Sequence, residues 1–146
     1  MKIENIKFKA KRLDNGEWVT GDLLQHVDGT VLIGDNTGTW TDDEYSPCDY
    51  NQVYKVDPST VCQFTGLKDK NGVDVWEHDI ITFEGIEGEV VFFDGCFRIK
   101  KDDGSNLSFP TLLIRSSKIY FFEVIGNKFD ENEGEIKKNK HKKTEE

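Results

Sequence analysis

The sequence predicts a mainly β protein. The expected layout is an N-terminal β subdomain over residues 1–64, a connecting hairpin over 65–78, a small barrel over 79–127, and a charged tail or short helix over 128–146. Three observations predict it. Apolar and polar residues alternate with period two in short runs, as half-buried strands require. Gly-bearing turn signals separate the runs, among them Asp14-Asn15-Gly16, Asp28-Gly29, Asn71-Gly72 and Asp94-Gly95. Strand-favouring aromatics are plentiful at 12% of the chain, with ten Phe.

Taken in order, Ile6, Phe8 and Ala10 face one way and Lys7, Lys9 and Lys11 the other, which reads as a strand with a basic solvent face. It is expected to pair through the Asp14–Gly16 turn with Glu17–Thr20. The second strand, Trp18 to His26, should bulge or bend at Gly21. Thr30–Ile33 should pair back on Leu23–Val27. Gly34 to Pro47 is polar and reads as a long loop; Tyr50–Val56 and Ser59–Phe64 read as strands. Asn71-Gly72 is expected to reverse the chain in type I′ geometry, with Gly66 at a bulge. Beyond it, Asp79–Glu84, Glu89–Asp94, Cys96–Lys101 and Lys118–Ile125 are apolar strand runs, with a turn over Gly85–Gly88. The last run is apolar enough to be buried on both sides, and Pro110 makes Leu107–Arg115 irregular. Four or five short strands within about fifty residues match an SH3-like barrel by size. Phe129 onward is Glu- and Lys-rich, with Ile136 its one apolar anchor in 131–146, and is expected to fray at its end.

Composition narrows the function classes. A chain of 146 residues forms one domain or two small ones, with a core that needs neither disulfide nor metal. The net charge is -9, and because five Glu balance five Lys over 131–146, residues 1–130 carry all of it. That acidity disfavours direct nucleic-acid binding. It suits solubility, a basic partner, or imitation of DNA toward a DNA-binding host protein. Cys48, Cys62 and Cys96 form no Cys-x-x-Cys pair; free thiols point to a reducing cytoplasm, with Cys62 and Cys96 as core packing. No signal pattern and no apolar run near the ~20 residues of a membrane span are present, so no membrane association is expected.

The stretch Gln63-Phe64-Thr65-Gly66-Leu67-Lys68-Asp69-Lys70-Asn71-Gly72, followed by Val75-Trp76-Glu77-His78-Asp79-Ile80-Ile81, resembles the signature of the YopX family of phage and prophage proteins. Ile6–Ala10, Gly16–Leu23, Gly88–Phe92 and Glu123–Asn127 resemble further segments of that family. The resemblance covers most of residues 3–130. It implies an N-terminal β region, a C-terminal SH3-type barrel, a bacterial host cytoplasm during phage or prophage expression, and self-association into a homo-oligomer. It implies no reaction, cofactor or substrate, and it transfers no functional residue. In one departure, His78 stands where the family's pattern usually has Gly, a position that would be uncomfortable for His if φ is positive.

No constellation reaches catalytic or metal-binding spacing. From Asp69, Gly72 falls at position four and Ile80 at position twelve, so a calcium loop, with Gly at six and Glu at twelve, is rejected. His26, His78 and His141 are scattered, and His78 reads as a surface turn histidine. Ser105 and Ser116-Ser117 lack a nucleophile elbow. Asp42-Asp43-Glu44 reads as a solvated acidic loop, and the lysines of 137–143 as a weakly basic cluster. Trp40, Tyr45 and Tyr50, aromatics in or beside a polar loop, are the candidate partner contacts. The expectation is a non-enzymatic protein without cofactor that binds a host or phage protein or copies of itself; the alternative is a nucleic-acid-related role, as a binding barrel or an acidic decoy.

Overall fold

Two antiparallel sheets hold the strands of the computed structural model, which describes residues 2–35, 52–108 and 121–130. The chain opens with a 3-10 turn at Ile3–Asn5, followed by β1 (Phe8–Lys11), β2 (Trp18–Gln25), β3 (Val31–Asp35) and β4 (Gln52–Lys55). A second 3-10 turn, Pro58–Thr60, leads to β5 (Cys62–Lys68) and β6 (Asp74–Trp76). These strands form one sheet in the order β4-β3-β2-β1-β5-β6. The rest are β7 (Asp79–Phe83), β8 (Ile86–Phe93), β9 (Cys96–Lys101), β10 (Asn106–Ser108) and β11 (Glu123–Asn127), in the order β10-β9-β8-β7-β11. The chain is mainly β, and both sheets are open, without pairing between their outermost strands among the described residues.

The predicted pairings of β1 with β2 and of β2 with β3 are present. Gly21 does not interrupt β2. It is the position at which the strand changes partner, from Phe8↔Gly21 to Asp22↔Gly34. A Cβ there would lie 2.0 Å from the Gly34 carbonyl oxygen, so only glycine permits that approach. Past the end of β1, Arg12 bridges Val56, which brings the end of β4 back toward β1. Ala10, Val19, Ile33 and Val56 fill the first core, with Phe8 and Leu23 packed against them; Ile6, expected on this face, is exposed.

The hairpin expected to link the halves is built into the first sheet as β5 and β6. Gly66 has a φ of +82° within the register shift between Phe64 and Lys68, a bulge as predicted. The turn itself differs from the type I′ expectation, because Gly72 has positive φ and Asn71 does not. Gly72 N–H donates to the Asp69 carbonyl at 3.0 Å, and the Asp69 carboxylate accepts the N–H groups of Asn71 and Val73 at 2.8 and 2.9 Å. That side chain selects the turn in place of an Asn-Gly two-residue loop.

The second sheet has type I′ loops at Glu84-Gly85 (φ +49° and +77°) and Asp94-Gly95 (φ +50° and +76°). The first of these is tighter than the predicted Gly85–Gly88 turn: β8 starts at Ile86, and Gly88 lies inside it against Ile99. Val75, Ile81, Phe83, Val90, Ile99 and Phe122 form the second core. Full burial of a side chain such as Phe122 is worth about 1.5–3 kcal/mol. Val75 comes from β6, so the hairpin contributes to both sheets' packing. Two expectations fail here: Ile125 is exposed rather than buried on both sides, and Cys96 is half-exposed rather than core. Cys48, the acidic cluster 42–44, residues 109–120 and the chain beyond Asp130 lie outside the described residues.

Candidate functional site between the two sheets

Period-two alternation places Lys7, Lys9 and Lys11 on one face of β1. Cross-strand register places Trp18 of β2, Cys62 and Phe64 of β5, and Trp76 of β6 on that same face. The basic face is therefore not simply solvated. Lys7 Nζ lies 4.4 Å from the Phe64 ring centre, and Lys9 Nζ lies 4.6 Å from that of Trp18 and 5.2 Å from that of Trp76. Each such contact stabilises by about 0.5–2 kcal/mol, rising as water is excluded. Lys7 also binds Asp74 at 2.9 Å, and Lys68 binds the other Asp74 oxygen at 3.0 Å.

Against this face sits Asp79, the first residue of β7, only 2% exposed. Its Oδ2 accepts the Trp76 N–H at 2.7 Å, and its Oδ1 accepts Asn127 Nδ2 at 2.9 Å and lies 3.9 Å from Lys9 Nζ. Burial raises its pKa; the Asn127 and Trp76 hydrogen bonds and the Lys9 charge oppose that rise without cancelling it. Asn127 is shared widely: its Oδ1 accepts the Phe129 N–H, and its Nδ2 also reaches the Glu77 carbonyl at 3.4 Å. Asp130 completes the group, accepting Trp18 Nε1–H at 2.8 Å and the Asn127 N–H at 3.0 Å. Cys62 lies beneath Asn127, its thiol pushed up to about 12 chiefly by burial, which makes it unreactive.

Asp69 does similar work at the other end of the hairpin. Besides its own turn it accepts the Val124 N–H of β11 at 3.0 Å. Burial opposes its charge, but the N–H groups of Val124, Val73 and Asn71 outweigh that and hold its carboxyl below the usual range. Lys70 N–H donates to the Phe122 carbonyl, and Asn71 and Lys70 side chains reach Glu123.

The pattern has a chemical meaning. β6 and β11 are the outermost strands of their sheets, and they flank a cleft of about 400 Å³ whose walls include Lys9, Asp74, Trp76, Asp79, Asn127 and Asp130. The main-chain N–H groups of Trp76, Val124 and Asn127 each end on an aspartate carboxylate. Those carboxylates protect sheet edges and fasten one sheet to the other. With both its oxygens occupied by hydrogen bonds, Asp79 is an orienting group. Among the described residues no group of three or more His, Cys, Asp or Glu is placed to hold a metal ion, and no helix is long and apolar enough to cross a membrane.

Of the residues singled out from sequence, Trp40, Tyr45 and Tyr50 lie outside the described residues. His78 is half-buried, with φ +69°; its ring meets Glu89 at 3.1 Å, Glu77 at 3.7 Å and the Phe129 ring edge-on. It is therefore more than a surface turn residue. Sequence reading missed Asp79, Asn127 and Asp69 as a set. The available signal was their position: a lone carboxylate opening the apolar run Ile80–Phe83, and an Asn closing Glu123–Gly126.

Fold and site define an antiparallel two-sheet β protein joined by a shared hairpin and a polar clasp. The chain belongs to the YopX protein family, whose profile matches residues 7–134. That span contains the eleven strands of the described residues and the Lys9–Asp79–Asn127 cluster. No curated protein matches the chain.

Proposed function

We propose that this is a non-enzymatic, phage- or prophage-derived module of the bacterial cytoplasm that binds protein, including copies of itself, and whose C-terminal half is an SH3-like barrel. The observation that carries the binding reading is the tip of the β8–β9 hairpin. Phe92 and Phe93 are 50% and 55% exposed there, with Phe92 edge-on to Phe97. Adjacent exposed aromatics mark contact surfaces more often than they mark chance. The polar groups between the sheets support a non-catalytic role, since they are occupied in holding structure. The order β11-β7-β8-β9-β10, a meander whose last strand returns beside its first, supports the barrel reading.

Light scattering tests it. A mass well above 16.8 kDa is expected, falling on Phe92→Ser/Phe93→Ser, and a strict monomer at high concentration would count heavily against self-assembly. The net charge of -9 favours one second reading, an acidic decoy for a basic host protein. Capture that recovered only basic nucleic-acid-binding proteins from host lysate, with no gel shift of DNA by the chain alone, would select it.

A further inference from the structure

We propose that the fork between β1 and β4 is a docking groove for an extended acidic peptide of a partner protein, which adds to the open edge of β4 and sets a carboxylate on Arg12. This rests on the protein-binding reading and deepens it. Val56 N–H donates to the Val31 carbonyl, and Ile33 lies opposite Tyr54, so residues 52, 54 and 56 direct their main-chain groups toward β3. The alternation of an antiparallel ladder sends those of Val53 and Lys55 outward. Leu13 N–H takes the Lys55 carbonyl at 3.0 Å, and there the chain departs for the Asp14–Gly16 turn. The Val53 N–H and carbonyl have no partner among the described residues. The N–H groups of Trp76 on β6 and of Val124 and Asn127 on β11 end on aspartates; among the described residues this one does not.

A recess of about 490 Å³ opens at the fork, walled by Arg12, Leu13, Asp14, Val53, Tyr54 and Lys55. That is room for one or two side chains. Among the described residues its lining sets two cations, Arg12 and Lys55, against one carboxylate, Asp14, which makes it locally basic on a body of net charge -9. The Arg12 guanidinium lies 4.2 Å over the Tyr54 ring, which fixes its plane, and its Nη2 already holds the Asp14 carboxylate at 2.5 Å. Its Nε is buried without a hydrogen-bond partner among the described residues. Leu13 and Val53, 62% and 48% exposed, offer apolar surface to the alternate side chains of an added strand. Two-fold pairing of β4 with a second copy would set two cationic forks together, so like charge disfavours that occupant.

The test uses the full ¹⁵N-labelled chain with two capped peptides, acetyl-Val-Glu-Val-Asp-Val-Glu-amide and a version with Lys at the acidic positions. The acidic peptide should shift the Val53 and Lys55 amide signals, slow Val53 exchange, and weaken as salt rises. Arg12→Gln should weaken it about tenfold, as loss of a charge-assisted hydrogen bond does. Val53→Pro should abolish it, and a peptide N-methylated at alternate residues should fail on the unaltered protein, which keeps the main-chain pairing testable if the proline variant misfolds. Equal binding of both peptides, shifts away from the fork, full binding by the N-methylated peptide, or Val53 shifts that follow chain concentration without peptide would each overturn the proposal. Failure at the fork while the chain still assembles above 16.8 kDa would leave the protein-binding reading standing; a strict monomer that binds neither peptide would sink both.

Discussion

At residue scale, Asp69 and Asp79 are both buried carboxylates, and the fold moves them in opposite directions. Asp69 is held below its ordinary value, so the stability it contributes is present above the unfolded carboxyl range near ~3.9 and is lost as pH falls through its lower folded value. Asp79 is raised, so it favours the fold below that range and loses this contribution as pH rises through its higher folded value. Urea midpoints followed from pH 3 to 8 should separate them. Asp69→Asn should lose about 1–3 kcal/mol at neutral pH, from unpaired N–H groups, and should flatten the acid-side fall. Asp79→Asn should instead flatten a decline that sets in as pH rises above the unfolded carboxyl value. Identical pH profiles for the two variants would contradict these assignments. His78 offers a second residue-scale expectation. Its φ of +69° costs about 1–2 kcal/mol, comparable to what its ring contacts return. His78→Gly should therefore stay within about 1 kcal/mol of the parent, whereas β-branched His78→Val should lose more than about 2 kcal/mol by thermal melt.

At the scale of elements, what was legible in the sequence was local. The alternation Ile6–Lys11, the β-branched run Thr30–Ile33 and Asp94-Gly95 each carried their own strand or turn signal; the strands form there, though β1 begins only at Phe8 and β3 at Val31, and the Asp94-Gly95 turn lies where expected. What was not legible depended on partners distant in the chain. Lys7, Lys9 and Lys11 read as a solvent face because nothing in their own segment shows Trp18, Phe64 and Trp76 arriving beside them. Asn71-Gly72 read as type I′ because the competing hydrogen bonds come from the Asp69 side chain. Closure into a barrel does not appear in the sheet pairing of the described residues, and the periodicity of strands alone never distinguished an open sheet from a closed one. Gly21 is the sharpest case: a break by propensity, yet a close approach in the fold. Gly21→Ala should cost about 3 kcal/mol or more, because the methyl meets the Gly34 carbonyl backbone rather than a movable side chain. Gly16→Ala, with φ +72° but open space around it, should cost only about 1 kcal/mol. Equal losses in a urea titration would remove the close-approach explanation.

At the scale of the molecule, the two sheets behave as one structure only if the contacts between them are strong compared with either alone. Those contacts are polar and directional: the Trp76 N–H with Asp79, Asp130 with Trp18, Asp69 with Val124, and the His78 N–H with the Val90 carbonyl. Val75 of the first sheet also stands inside the second core. Neither sheet keeps its edge N–H groups satisfied without the other, since Asp69 and Asp79 bond across the division between them. Cooperative unfolding follows, and it can be read from both sides. Trp18 and Trp76 report the first sheet by fluorescence, and amide exchange of β8 and β9 reports the second. Their urea midpoints should coincide in the parent. Asn127→Ala leaves a buried carboxylate short of one donor and the Phe129 N–H short of its acceptor, a loss of about 2–4 kcal/mol, and both midpoints should fall together. If tryptophan emission held while β8 and β9 opened early, the clasp would be a local contact and the sheets would be separate folding units.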